Sequence, residues 1–78
     1  MIRIKCPTDG NKIGEYLVWL QHNINGNAVN FSFMKLEDFK TSKYDAAWKA
    51  SLMIRPKFMT LLFKKTEDAV AFKLRFGL

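Results

Sequence analysis

Apolar and polar side chains alternate strictly from position 2 to position 6 of the chain. Successive side chains of a strand project to opposite faces, so this pattern predicts a strand with one apolar and one basic face. Pro7 ends the strand, and from Lys12 the apolar spacing becomes that of an amphipathic helix. The residues of its predicted buried stripe are Ile13, Tyr16, Leu17, Leu20 and Ile24. Asn25-Gly26 then favours a turn.

A second alternating segment covers residues 28–36. It predicts a strand with Val29, Phe31 and Phe33 facing the core. The side chains expected to face outward are Asn30, Ser32 and Met34. Residues 37–45 are polar and charged apart from two aromatic residues, so they predict a loop.

The segment 43–54 fits two structures. Trp48, Ala50, Leu52 and Ile54 alternate with polar residues and Met53, which favours a strand followed by a turn at Pro56. Helical spacing after a capping box at Ser42 is the alternative. We expect the strand because the alternation is unbroken over 48–55.

The last two elements are a strand and a helix. Residues 58–63 are apolar at nearly every position, which indicates a strand buried on both sides. Residues 66–76 predict a helix with Ala69, Phe72 and Phe76 on one face, and Gly77 ends it. The order β-α-β-β-β-α over 1–78 predicts a single α+β domain, a two-layer sandwich whose largely antiparallel sheet carries both helices on one face.

Such a sandwich leaves the other face of the sheet open. The run from Ala46 to Thr66 contains no acidic residue, and the chain as a whole carries 13 basic against 7 acidic side chains. We therefore predict a non-enzymatic module whose cationic sheet face contacts nucleic-acid phosphates, DNA or RNA, without reading sequence. The residues predicted to bind are Arg3, Lys5, Lys49, Arg55, Lys57, Lys64 and Lys65. The alternative interpretation is that these basic side chains are simply solvated, because antiparallel sheets commonly carry Lys and Arg on a face exposed to water.

Few aromatic rings are expected on that face, which argues for backbone contact over base stacking. The alternative function is a protein-interaction module, either a homo-oligomer or an inhibitor that docks on an acidic host protein. Its predicted interface residues are Trp19, Met34, Met53 and Phe58, since methionine and aromatic side chains are common at such surfaces. Trp19 has a competing role: it lies about 120° around the helix from the middle of the stripe and can fold down over the edge of the core.

Catalytic and metal chemistry lack partners in this sequence. His22 and Cys6 are its only histidine and cysteine, so no zinc set or thiolate–imidazole pair is predicted, and no glycine-rich phosphate loop occurs. We expect no enzyme activity, no cofactor and no small-molecule substrate. The absence of a signal-type N-terminus and of a long apolar segment predicts a cytoplasmic protein without membrane contact.

Two resemblances are visible. The helix–three strands–helix order from Lys12 to Gly77 resembles a double-stranded RNA-binding domain, but Thr66-Glu67-Asp68 is acidic where that family's second helix begins with basic residues. The closing segment 66–77 is similar to that of small uncharacterised proteins of tailed marine phages. That resemblance implies an accessory phage protein made in a bacterial host cell.

Overall fold

The computed structural model describes residues 1–50 and 57–78. Its elements are β1 (Ile2–Pro7), α1 (Lys12–Asn23), β2 (Ala28–Asn30), α2 (Leu36–Thr41), β3 (Ala46–Ala50), β4 (Phe58–Phe63) and α3 (Thr66–Phe76). A mixed sheet of four strands together with three helices confirms the predicted α+β class.

The strands form one four-stranded sheet in the order β1-β4-β3-β2. β4 is antiparallel to both β1 and β3, whereas β2 runs parallel to β3. The sheet is therefore mixed, with antiparallel pairing in its larger part as predicted. Most of β4 is buried on both faces of the sheet, with Met59, Leu61 and Phe63 on one face and Leu62 on the other, which explains why its sequence is so apolar.

The main core lies between the sheet and the pair α1 and α3, so both predicted helices do share one face. Tyr16 and Leu20 of α1 and Phe72 of α3 are fully or almost fully buried there. The sheet residues that complete this core are Ile4, Cys6, Met59, Leu61 and Phe63, with Trp48 at its edge. The hydroxyl of Tyr16 donates a 2.7 Å hydrogen bond to the carbonyl oxygen of Pro7, which ties α1 to the end of β1.

A third helix, α2, occupies the segment that we predicted as a loop. It packs on the opposite face of the sheet, where Phe39 is fully buried against Ala47 and Leu62. The predicted open face is therefore partly covered, and α2 adds exposed acidic residues, Glu37 and Asp38, on that side. A helix of six residues with one buried side chain shows no apolar period, so the sequence pattern could not indicate it.

β2 is shorter than predicted because its end residue redirects the backbone. The side-chain oxygen of Asn30 accepts hydrogen bonds from the backbone N–H (3.1 Å) and hydroxyl (2.7 Å) of Ser32. Such a local side-chain turn competes with strand pairing. The expected facing of this segment is wrong: Val29 and Phe31, predicted to face the core under the helices α1 and α3, pack instead in the Phe39 cluster on the α2 side of the sheet. Phe33, also predicted to face the core, is fully exposed, and Met34, predicted to face outward, packs in the Phe39 cluster.

β3 confirms the strand interpretation for residues 46–50, and the helical alternative does not form there. Residues 51–56 lie outside the described part of the chain. The predicted continuation of the strand and the turn at Pro56 fall in that segment, as do two predicted site residues, Met53 and Arg55.

Candidate functional site

The strand register places one lysine on each side of a single threonine. Lys5 of β1 and Lys49 of β3 both lie opposite Thr60 of the central strand β4. Neighbouring strands are about 4.8 Å apart, so the Cα atoms of the two lysines are separated by about 10 Å. Ile4 and Cys6 on either side of Lys5, and Trp48 beside Lys49, pack in the main core, and therefore the two lysines project from the opposite side of the sheet.

Arg3 lies two residues before Lys5 in β1, opposite Leu62 of β4. Its side chain therefore projects from the same face of the sheet as that of Lys5. A groove of about 280 Å³ lies on this face, lined by Arg3, Lys49 and Thr60 and by the apolar side chains of Phe31 and Leu62. We call Arg3, Lys5, Lys49 and Thr60 the basic face. It is the part of the predicted surface that α2 leaves uncovered.

The charges of the basic face are not neutralised by nearby carboxylates. In the described ranges 1–50 and 57–78, the ion pairs are Lys12 with Glu15 and Lys65 with Asp45, each at 3.6 Å. Arg3, Lys5 and Lys49 are exposed and belong to neither pair. A group of like charges without counter-charge attracts anions from solution.

Phe58 lies at the rim of the basic face and is the aromatic residue expected to project outward. Its side chain is 46% exposed, and the Nζ atom of Lys5 lies 4.3 Å from the centroid of its ring. An exposed ammonium–ring contact of this kind is worth about 0.5–1 kcal/mol. The contact holds Lys5 close to an apolar surface that a partner could also use.

The structure does not bring Lys64 and Lys65 to the basic face. The Nζ atom of Lys64 donates a 2.7 Å hydrogen bond to the carbonyl oxygen of Ser42 and lies 5.0 Å from the ring centroid of Phe39. Lys65 pairs with Asp45, whose side chain is largely buried. Both partners belong to the segment between α2 and β3, a contact that sequence spacing does not reveal.

Lys57 stands at one end of the sheet. Its side chain is exposed, and its carbonyl oxygen accepts a 3.0 Å hydrogen bond from the backbone N–H of Thr8. It therefore adjoins Phe58 at the edge of the basic face and does not join the row of Lys5 and Lys49.

Two of the predicted protein-interface residues pack within the fold. The indole of Trp19 makes edge contacts with the rings of Phe72 and Phe76, at centroid distances of 5.4 Å and 6.4 Å. It covers the edge of the main core, which is the competing role considered for it. Met34 packs against the cluster of Phe39 on the other side of the sheet.

The sequence interpretation missed an apolar stripe on the outer side of α3. Val70, Leu74 and Leu78 are exposed there, and Leu74 is the most exposed of the three at 79%. Val70 and Leu74 are four residues apart in α3 and therefore share one helix face, and Leu78, beyond the helix end at Gly77, lines the same hollow. The sequence interpretation concentrated instead on the stripe of Ala69, Phe72 and Phe76.

The described residues offer little reactive chemistry. They contain no group of three or more histidine, cysteine or acidic side chains that could hold a metal ion. Burial raises the pKa of the Cys6 thiol to about 12, so this side chain stays protonated and weakly nucleophilic near neutral pH.

Together these features define a small α+β protein with a mixed four-stranded sheet and a cationic face. No family model, curated protein or solved structure matches the chain. None of the described helices has the length and apolar character needed to cross a membrane.

Proposed function

We propose that the protein is a non-enzymatic module that binds the phosphate backbone of nucleic acid through Arg3, Lys5 and Lys49. The observation that carries this proposal is the pairing of Lys5 and Lys49 across Thr60, without a carboxylate partner among the described residues. The strands fix the backbone positions of these three cations, so binding has to order only their side chains. Contacts of this kind position the nucleic acid and carry no sequence preference.

The salt dependence of binding follows from the number of phosphates that are neutralised. With three contacts, the logarithm of the affinity should fall with the logarithm of salt concentration at a slope of about −2 to −3. Between about 50 mM and about 200 mM salt, that slope lowers the affinity by roughly 20- to 40-fold. Fluorescence anisotropy with a labelled duplex and a labelled single strand of the same sequence measures this slope.

A matched pair of charge reversals ties the binding to the basic face. Lys49→Glu should abolish binding, because it places a carboxylate beside Lys5 and Arg3. Lys12→Glu makes the same change in net charge on α1, on the other side of the sheet, and should retain most of the affinity. An equal loss in both variants, or no binding of the wild type at about 50 mM salt, would contradict the proposal.

A second candidate function is the binding of an acidic protein on the same face. The exposed ring of Phe58, with Lys5 above it, favours this candidate because aromatic residues are enriched at protein interfaces. Phe58→Ser distinguishes the two functions: it should weaken the docking of a protein partner and leave backbone binding largely intact.

Origin and location are also part of the proposal. The similarity of residues 66–77 to the ends of tailed-phage proteins supports an accessory protein that acts in the cytoplasm of a bacterial host, where nucleic acid is accessible. The identity of the neighbouring genes tests this origin, and fractionation of expressing cells tests the location.

A further inference from the structure

The helix α3 is apolar on two opposite sides. Ala69, Phe72 and Phe76 face the sheet, whereas Val70 and Leu74 form a stripe on the outer side that Leu78 extends beyond the helix end. The outer residues are 48%, 79% and 39% exposed, and a shallow hollow of about 370 Å³ lies along them. Single exposed apolar residues are common, but a continuous stripe along a helix is typical of a surface that contacts another protein.

We propose that this outer stripe packs against the same stripe of a second copy, with the two α3 helices antiparallel. The charges on α3 favour this occupant. Glu67 and Asp68 lie in its first turn, and Lys73 and Arg75 lie in its last turn. In an antiparallel pair, the acidic end of each helix meets the basic end of the other, and the opposed helix dipoles attract.

A two-fold axis midway between Val70 and Leu74 satisfies the apolar and the charged contacts together, because it sets Val70 against Leu74 of the other copy and brings Glu67 within side-chain reach of the other copy's Lys73 and Arg75. The stripe is then self-complementary, as a symmetric dimer interface must be. A parallel arrangement would place acids beside acids and bases beside bases. An unrelated partner would need a matching stripe and a matching charge gradient, both of which a second copy already has.

The dimer is expected to be weak. One helix stripe from each copy buries less surface than a standard stable interface, so we expect a dissociation constant on the order of 10–100 µM. α3 lies on the side of the sheet away from the basic face, so dimerisation leaves Lys5 and Lys49 of both copies exposed. This inference therefore goes beyond the proposed function and does not depend on it.

Sedimentation equilibrium from about 10 to 500 µM protein tests the dimer. The wild type should shift from monomer to dimer over this range, and Leu74→Glu should remain monomeric throughout. Leu74 is mostly exposed, so circular dichroism of the variant should match the wild type. Val18→Glu, an equivalent change at an exposed position of α1, should leave dimerisation unchanged.

A charge swap tests the antiparallel orientation. Glu67→Lys and Lys73→Glu should each weaken the dimer at least severalfold, and the double variant should recover it, because the opposite charges face each other again. A wild type that stays monomeric at about 500 µM, or a dimer that survives Leu74→Glu, would overturn the inference. Recovery that fails in the double variant would overturn the antiparallel arrangement.

Discussion

The ammonium group of Lys64 donates a 2.7 Å hydrogen bond to the carbonyl oxygen of Ser42, 22 positions earlier in the chain. This contact joins the end of the central strand β4 to the residue that follows α2. The same ammonium group lies 5.0 Å from the ring centroid of Phe39, the buried residue of that helix. Lys64 therefore fixes α2 on the sheet, although its sequence position suggested a role in anion binding.

Lys64 and Lys49 should consequently have opposite mutational phenotypes. Lys64→Met should lower the free energy of unfolding by about 1–2 kcal/mol, because the hydrogen bond to Ser42 is lost. Lys49→Met should change the free energy of unfolding by less than about 0.5 kcal/mol, since its side chain is exposed. Urea denaturation measures both values, and the anisotropy assay should show the reverse order for nucleic-acid affinity. A stable Lys64→Met variant would show that this contact does not stabilise α2.

Gly26 should tolerate no side chain. Its φ is +74°, and an added Cβ would overlap the carbonyl oxygen of Lys43 and lie 2.9 Å from the carbonyl carbon. Gly26→Ala combines backbone strain with a clash against main-chain atoms that cannot swing away, so we expect a loss of more than about 2 kcal/mol in unfolding free energy. Gly14→Ala is the control, because nothing lies within 4 Å of its added Cβ inside α1. It should stabilise the protein by roughly 0.5–1 kcal/mol.

Alanine substitutions of Phe39 and Phe33 should differ sharply in their effect on the free energy of unfolding. Phe39 is fully buried and Phe33 is fully exposed. Phe39→Ala should lower the free energy of unfolding by about 3–5 kcal/mol, because it opens a cavity between α2 and the sheet. Phe33→Ala removes the same atoms from a solvated position and should be close to neutral. Similar midpoints for the two variants in thermal denaturation would mean that α2 does not pack on Ala47 and Leu62.

Burial of Cys6 should make stability depend on alkaline pH. Burial raises the pKa of this thiol from 9.0 to about 12 in the folded protein. The folded state therefore holds the proton more tightly than the unfolded state between these values. The stability that comes from protonated Cys6 is fully present below about pH 9 and is lost as the pH rises towards about 12.

Denaturation of the wild type and of Cys6→Ala, between about pH 8 and about pH 10, measures this effect. Stability should fall more steeply with pH in the wild type. Burial also raises the pKa of Tyr16, so a part of the slope should remain in Cys6→Ala. Thiol reagents should label native Cys6 far more slowly than the unfolded chain. Identical slopes in the two proteins would contradict the pKa difference.

Much of the fold is predictable from local patterns. The stripe of Tyr16 and Leu20 and the stripe of Ala69 and Phe72 indicate α1 and α3, because three or more turns of helix repeat the apolar spacing often enough to be recognised. The Asn25-Gly26 turn and the helix end at Gly77 follow from the left-handed backbone that glycine adopts there. The outward direction of Lys5 and Lys49 follows from alternation within their strands.

Local sequence patterns predict the elements that repeat a period, the class of the fold and the excess of positive charge. The cations that share a surface are set by contacts between distant parts of the chain. Lys5 and Lys49 lie on the same face because both are opposite Thr60, whereas Lys64 is hydrogen-bonded to Ser42 and Lys65 is paired with Asp45. Strand order, register and the placement of a short helix depend on contacts between distant positions, and a local pattern of polarity contains no information about such contacts.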